Sequence, residues 1–176
     1  GDFDLAYLKY AAAFDGDKPS FVYYRERIFL RSFGFKWEGS VHEAVAPAGR
    51  CVYSSACIFH KKLKSGDPFR NLNIFRQRIY RGELLSPREK FYYGRELFFN
   101  KMYTESVAVL SDFLNGGGWV ENEVDACRTL FKAYRCLGQE NKARASLVRA
   151  FTLSYPRAED CCALASLFEE KNDVRW

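Results

Sequence analysis

The chain has 176 residues, the size of one domain or of two small ones. Hydrophobic residues make up 48% and aromatic residues 17%, which excludes a disordered or collagen-like chain. The net charge of +5 is uneven: residues 1–90 carry 16 Lys/Arg against 10 Asp/Glu, and residues 91–176 carry 11 against 12. So small and dispersed an excess argues against a nucleic-acid surface. No apolar run reaches the roughly 18 residues that a membrane-spanning helix needs. Gly1-Asp2-Phe3-Asp4 shows no basic flank leading into an apolar stretch, so a cytoplasmic location is expected. The absent initiator Met points to a piece of a longer protein.

Residues 1–63 read as strands and turns. Leu5–Ala11 and Ser20–Tyr24 are apolar, aromatic-rich runs, and Asp15-Gly16-Asp17-Lys18-Pro19 between them reads as a hairpin turn. Ile28-Phe29-Leu30 and Phe35-Lys36-Trp37-Glu38 flank Gly34, and Cys51–His60 is the last strand candidate. A small, mostly antiparallel set is expected. Residues 64–86 read as a connector. Lys64-Ser65-Gly66-Asp67-Pro68 is a loop, and Phe69, Leu72, Ile74, Phe75 and Ile79 recur at helical spacing up to Gly82.

Residues 87–176 read as helical and repetitive. Ser86-Pro87 with Glu89 has the form of a helix start. Gly94, Leu97, Tyr103, Ser106, Leu110 and Phe113 are echoed 37 residues later by Phe131, Tyr134, Glu140, Ala143, Leu147 and Ala150. Leu164, Ala165 and Phe168 follow Leu130, Phe131 and Tyr134 by 34. Small residues at Gly94, Ser106, Ala143, Ala150 and Ala165 mark expected close approaches of paired helices, and Gly116-Gly117-Gly118 reads as a three-residue loop insertion. The pattern resembles tetratricopeptide repeats, so an antiparallel array of five or six helices is expected. The overall expectation is an α+β chain, mainly α.

Cys51, Cys57, Cys127, Cys136, Cys161 and Cys162 are irregularly spaced, so reduced thiols are expected, with Cys127, Cys161 and Cys162 buried. His42, Cys51, Cys57 and His60 lack zinc-ligand spacing. The doublets Asp2-Phe3-Asp4 and Asp15-Gly16-Asp17 are weak metal candidates, the second being explained by its turn. Trp37-Glu38-Gly39-Ser40-Val41-His42-Glu43 is more informative, because an indole, a permissive glycine, an imidazole and a carboxylate fall within seven residues. A carboxylate there can act as general base and an imidazole can hold metal or phosphate. On a regular strand His42 and Glu43 would face opposite ways, with Val41 and Glu43 inward, so either the chain bends at Gly39–Ser40 or only one of the two serves the site. Tyr24-Arg25-Glu26-Arg27 suits an anionic or sugar ligand, or alternatively an internal ion pair.

Tyr24–Arg27, Trp37–Glu43 and His60-Lys61-Lys62, followed by Arg70-Asn71-Leu72, Pro87-Arg88-Glu89, Phe91–Leu97, Gly118–Asn122 and Pro156–Cys162, together resemble one family. It is the bacterial family-2 glycosyltransferases of GT-A type that carry a tetratricopeptide tail. The resemblance implies sugar transfer from a nucleotide diphosphate donor with inversion, assisted by Mg²⁺ or Mn²⁺. It implies Glu43 as base, His42 or His60 as a metal or diphosphate contact, Arg25 and Arg27 as anion contacts, and Trp37 on the acceptor side. The nucleotide-binding strands and the metal-binding acidic doublet would precede residue 1, so residues 1–176 alone are expected to be inactive and to need no cofactor. Two other readings stand beside this one. One is a helical-repeat adaptor for a peptide or protein, with Tyr93, Asn100 and Arg128 as groove candidates. The other is a carbohydrate-binding module stacking sugars on Tyr23, Tyr24 and Trp37.

Overall fold

The computed structural model describes residues 2–61 and 66–169. Lys62, Lys64, Ser65 and the stretch from residue 170 onward, which the sequence reading placed in a strand end, a loop and the repeats, lie outside the described residues. Contacts divide the chain into two compact units, Gly1–Asp67 and Pro68–Trp176. The protein is α+β and mainly α: six helices lie in the second unit and every described strand lies in the first. No described helix is long and apolar enough to cross a membrane.

In the first unit, β1 (Leu5–Asp15) and β2 (Lys18–Phe29) form a long antiparallel hairpin. The loop is only Gly16-Asp17, and Gly16 takes a φ of +58°. A glycine at the first central position gives the turn a twist that matches the flanking strands. Pro19 lies inside β2, opposite Phe14, where an edge strand tolerates its missing N–H. β5 (Cys51–Phe59) adds to the other side of β1, giving the order β2-β1-β5.

That third strand departs from the antiparallel expectation, because β5 runs parallel to β1. The connection over residues 30–50 returns to the end of the sheet where β1 begins. Asp4 fixes the join: its N–H donates to the Arg50 carbonyl at 2.9 Å and its Oδ2 accepts from the Arg50 N–H at 2.8 Å. Gly49, at φ +67°, leaves room for this, since a Cβ there would lie 2.4 Å from the same oxygen. Leu5, Ala6 and Ala11 are buried in the sheet and Val41 and Val45 in the connection.

The second unit is built from α1 (Arg70–Tyr80), α2 (Pro87–Phe99), α3 (Tyr103–Gly116), α4 (Val120–Cys136), α5 (Glu140–Leu153) and α6 (Ala158–Glu169). Ser86 and Glu89 form a reciprocal capping box at the start of α2. Arg78, on α1, pairs with both Glu83 and Glu89 and so ties α1 to that cap. Burial alone would push the Glu89 carboxyl up, but the Ser86 N–H, the Arg78 guanidinium and the Ser86 hydroxyl together hold it below its ordinary value.

The contacts Lys90–Asp112, Gly94–Ser106 and Phe98–Tyr103 show α2 and α3 running antiparallel. Gly94 is where they approach most closely, with the Ser106 hydroxyl donating to the Gly94 carbonyl at 2.8 Å. The ends of α2 and α4, and both ends of α3 and α5, are each 37 residues apart. Phe91, Leu110, Phe113, Val124, Cys127 and Leu130 form one core cluster, and Phe131, Ala143, Leu147 and Leu167 form a second.

Two helical expectations are corrected. Cys161 and Cys162 are exposed, so only Cys127 among the three cysteines is buried, and Ala165 is exposed and marks no close approach. Asp160 and Leu167 are buried like Ala126 and Ala133, 34 residues before them. Gly116 closes α3, and Gly117 and Gly118 lie in the loop that follows.

Candidate functional site

The block from Trp37 to Glu43 is not a strand. β3 (Trp37–Glu38) and β4 (Ala44–Val45) pair as a short hairpin, Trp37 opposite Val45 and Glu38 opposite Ala44. Residues 39–43 are therefore its loop. Gly39 at φ +94° and His42 at φ +55° supply the left-handed turns that close it. Alternation of faces does not apply to such a loop. Val41 and Val45 point into the unit as apolar anchors, while His42 and Glu43 are both exposed. The inward placement of Glu43 on a regular strand is thus overturned, and of the two alternatives the bend at Gly39–Ser40 is the one observed.

Arg25, on β2, reaches this loop. Its Nη2 donates to the Glu43 carbonyl at 3.5 Å, and its Nε donates to Glu26 Oε2 at 3.3 Å. Burial would lower the pKa of this guanidinium, but the Tyr23 hydroxyl and the Glu26 charge more than offset that and hold it firmly cationic. Arg25 thus joins the ion-pair reading to a contact across 18 residues of chain.

Arg27 turns to other partners. Its guanidinium lies 4.7 Å from the centre of the Tyr10 ring, and its Nη1 donates to the Glu26 carbonyl at 3.4 Å. His60 stacks on the same tyrosine at 5.4 Å, and Tyr23 meets it edge-on at 5.6 Å. Tyr10 was not singled out from the sequence. Its signal was position alone, in the centre of the middle strand opposite both Tyr23 and Ile58.

Trp37 is half exposed and meets Phe29 edge-on at 5.9 Å. A cavity of about 170 Å³ lies between them, lined by Phe29, Leu30, Arg31, Phe35, Trp37 and Val45. Its walls are apolar with one guanidinium, which suits the face of a ring bearing a polar substituent. Tyr53 stacks on Tyr7 at 4.9 Å and meets Tyr24 edge-on at 5.0 Å. Of the three proposed sugar platforms, Tyr24 and Trp37 are therefore open to solvent, while Tyr23 is packed on Tyr10.

No group of three or more His, Cys, Asp or Glu side chains stands together among the described residues. Mg²⁺ is commonly held by one or two carboxylates together with substrate phosphates and water, so the side chains that bear on the implied ion are the acidic doublets. Asp4 is engaged by the Arg50 N–H, and Asp17 pairs with Lys61 at 3.0 Å.

In the helical unit, Arg128 is committed to Asp160 at 2.7 Å and faces Asp125 at 3.5 Å. Arg157 pairs with Glu121 and Asp125, so these charges clasp α4 to the start of α6. Tyr93 packs on Phe75 at 5.5 Å. Scanned against protein-family models, the chain matches none, and a search of curated proteins returns no significant match.

Proposed function

We propose that residues 1–63 are the acceptor-side end of a nucleotide-sugar transferase domain, that residues 64–86 are a connector, and that the helices from residue 87 onward form a tetratricopeptide-like tail. The observation that carries this reading is the 39–43 loop, which exposes His42 and Glu43 between β3 and β4, whose Trp37 and Val45 line the aromatic cavity, and which is held to β2 by Arg25. In the proposed reaction Glu43 takes the proton of the acceptor hydroxyl as that oxygen attacks the donor sugar. Trp37, with Phe29 and Phe35, offers an apolar face to the acceptor, and Arg31 offers a cation at the rim. Arg25 holds the loop, His42 is the proposed contact for an anionic or metal-bound group, and the donor diphosphate is held mainly by sequence preceding residue 1. The tail reading is supported by the common 37-residue offset of the helix ends and by the Gly94–Ser106 approach. The adaptor reading has lost a groove candidate, since Arg128 is occupied by Asp160.

The test is expression with the sequence that precedes residue 1 in its reading frame, followed by a screen of nucleotide sugars for metal-dependent release of nucleoside diphosphate. Glu43→Gln should lower kcat by roughly a hundredfold or more, the scale of a lost general base, with unfolding unchanged. Near-normal activity of Glu43→Gln beside an inactive His42→Ala would move the base to the histidine. An upstream frame made only of further helical repeats would replace the transferase with the adaptor.

A further inference from the structure

Between α3, α4 and α5 lies a cavity of about 260 Å³ that opens to solvent and that the proposed reaction does not use. Its floor is apolar: Leu114, Cys127 and Leu130 are buried, and the half-buried Tyr134 ring forms one side. Ser111 and Asn115, one helical turn apart, border it from α3. Lys142, Ser146 and Arg149 recur at i, i+4 and i+7 on the side of α5 that borders it.

The polar groups around this floor are mainly donors. Arg149 Nη2 donates to the Leu114 carbonyl at 2.9 Å, which fixes the guanidinium at the cavity and leaves most of its five N–H donors unused. Lys142 Nζ lies 5.7 Å from the centre of the Tyr134 ring. Neither cation pairs with a carboxylate among the described residues, whereas Arg76, Arg78, Arg128, Arg135 and Arg157 of the same unit each do. The Ser111 hydroxyl and the Asn115 amide make no hydrogen bond to another described residue. Among the described residues no carboxylate lines the cavity. Those around it are committed elsewhere: Asp112 to Lys90, Glu140 to Arg135, Asp160 to Arg128, and Glu123 to the Gly118 N–H. The carbonyl end of α3 adds only partial negative charge, which the Arg149 bond already answers.

We propose that this cavity binds a small phosphomonoester, with its phosphate on Lys142 and Arg149 and its organic body on Leu114, Leu130 and Tyr134. Donors without a counter-charge call for an acceptor-only group. A phosphate offers three terminal oxygens and up to two charges, so it can meet donors from both α3 and α5, where a carboxylate has two oxygens and one charge. The volume lies just below the roughly 300 Å³ at which small-molecule sites begin, which limits the body to about one ring or a short chain. The proposal does not depend on the transfer reading.

The test is calorimetric titration of the full chain with phenyl phosphate, inorganic phosphate and benzoate at fixed salt, with NMR to locate the ring. Phenyl phosphate should bind about tenfold more tightly than inorganic phosphate, because only its ring covers the floor. It should bind about fivefold more tightly than benzoate, and its ring protons should contact the Leu114 and Leu130 methyls. Lys142→Gln should weaken it about fivefold, and Arg149→Lys, which keeps a cation for the Leu114 carbonyl but loses the fork, by a similar factor. Lys142 is exposed, so thermal unfolding of Lys142→Gln should match the parent. Absence of heat and of NMR shifts at millimolar phenyl phosphate overturns the proposal, as does binding that both variants leave unchanged. Benzoate bound as tightly as phenyl phosphate would overturn the phosphate assignment, and inorganic phosphate bound as tightly would overturn the role of the apolar floor.

Discussion

Replacing Gly94 by Ala sets two effects of known sign against each other. In the interior of α2 the change should stabilise by about 1 kcal/mol through helix propensity alone. The added Cβ, however, would stand 2.5 Å from Leu110 Cδ2 and 2.6 Å from its Cγ. Ordinary carbon contacts lie about 3.5–4.0 Å apart, so α3 or Leu110 must retreat by about 1 Å. Leu110 is fully buried and belongs to the cluster containing Phe91 and Phe113, so rotation has little room. Overpacking of this kind costs about 1–3 kcal/mol. Retreat of α3 also stretches the 2.8 Å bond from the buried Ser106 hydroxyl to the Gly94 carbonyl. Leaving that hydroxyl unpaired adds about 1 kcal/mol or more. The net expectation is destabilisation by about 1–3 kcal/mol, a melting midpoint lowered by roughly 4–12 °C for a unit of this size. Far-ultraviolet circular dichroism during thermal and urea unfolding measures it. Gly116→Ala is the control, since nothing lies within 4 Å of its added Cβ and it should be neutral or slightly stabilising. Gly94→Ala combined with Leu110→Ala should cost less than the sum of the two singles. A Gly94→Ala variant as stable as the parent would refute the close approach of α2 and α3.

Cys127 is pushed up to about 11 by burial, with the charges of Glu123 and Asp160 adding to the effect and Arg149 opposing it, so it is protonated at neutral pH. Thiol titration of the folded chain should label the exposed Cys136, Cys161 and Cys162 quickly, and Cys127 only after denaturant is added; rapid native labelling of Cys127 would contradict its burial. Glu89 is held below its ordinary value, so its contribution to stability is present above the unfolded carboxyl pKa of about 4.3 and fades as pH falls through the lower folded value. Glu89→Gln should therefore lower stability at neutral pH by about 0.3–1 kcal/mol and flatten the acid side of the urea-midpoint profile, and an unchanged profile would dismiss the linkage. Arg128→Met leaves the Asp160 carboxylate, whose side chain is 5% exposed, without its ion-pair partner. The loss should be about 2–3 kcal/mol, with faster hydrogen exchange in α6 and partial rescue by Asp160→Asn; equal exchange would mean that α6 is held by its apolar contacts alone.

The helical unit was legible because its information is local and repeated. Ser86 and Glu89 state a helix start in their own side chains, and a 37-residue echo sets two pairs of helices in the same register. The failure came at the cysteines of α6, where Cys161 and Cys162 are exposed although free cysteine behaves as a small hydrophobe. Residue type does not say which side of a helix meets a neighbour. The anchoring of Asp160 by Arg128 does, and it joins residues 32 positions apart.

The sheet unit was legible in its first hairpin, where Gly16 fixes the turn, and in the extent of its last strand, Cys51–Phe59, but not in that strand's direction. The parallel seat of β5 depends on Asp4 binding the backbone of Arg50, a contact with no sequence period. The same holds at the candidate site. Strand alternation does not govern Trp37–Glu43, because only Trp37 and Glu38 pair in β3 before Gly39 turns the chain. Once residues 39–43 form a loop, Val41 can be buried while its two successors both stay in solvent, which a regular strand forbids. The carbonyl of Glu43 then becomes available to Arg25. The arginine read from sequence as a ligand contact is thereby drawn into holding the loop, on which the His42 and Glu43 side chains are exposed. The division is testable inside the proposed reaction. Arg25→Lys keeps the charge but not the fork, so it should loosen residues 39–43 in hydrogen exchange and lower kcat. An arginine that bound the donor anion would instead raise KM and leave the loop unchanged.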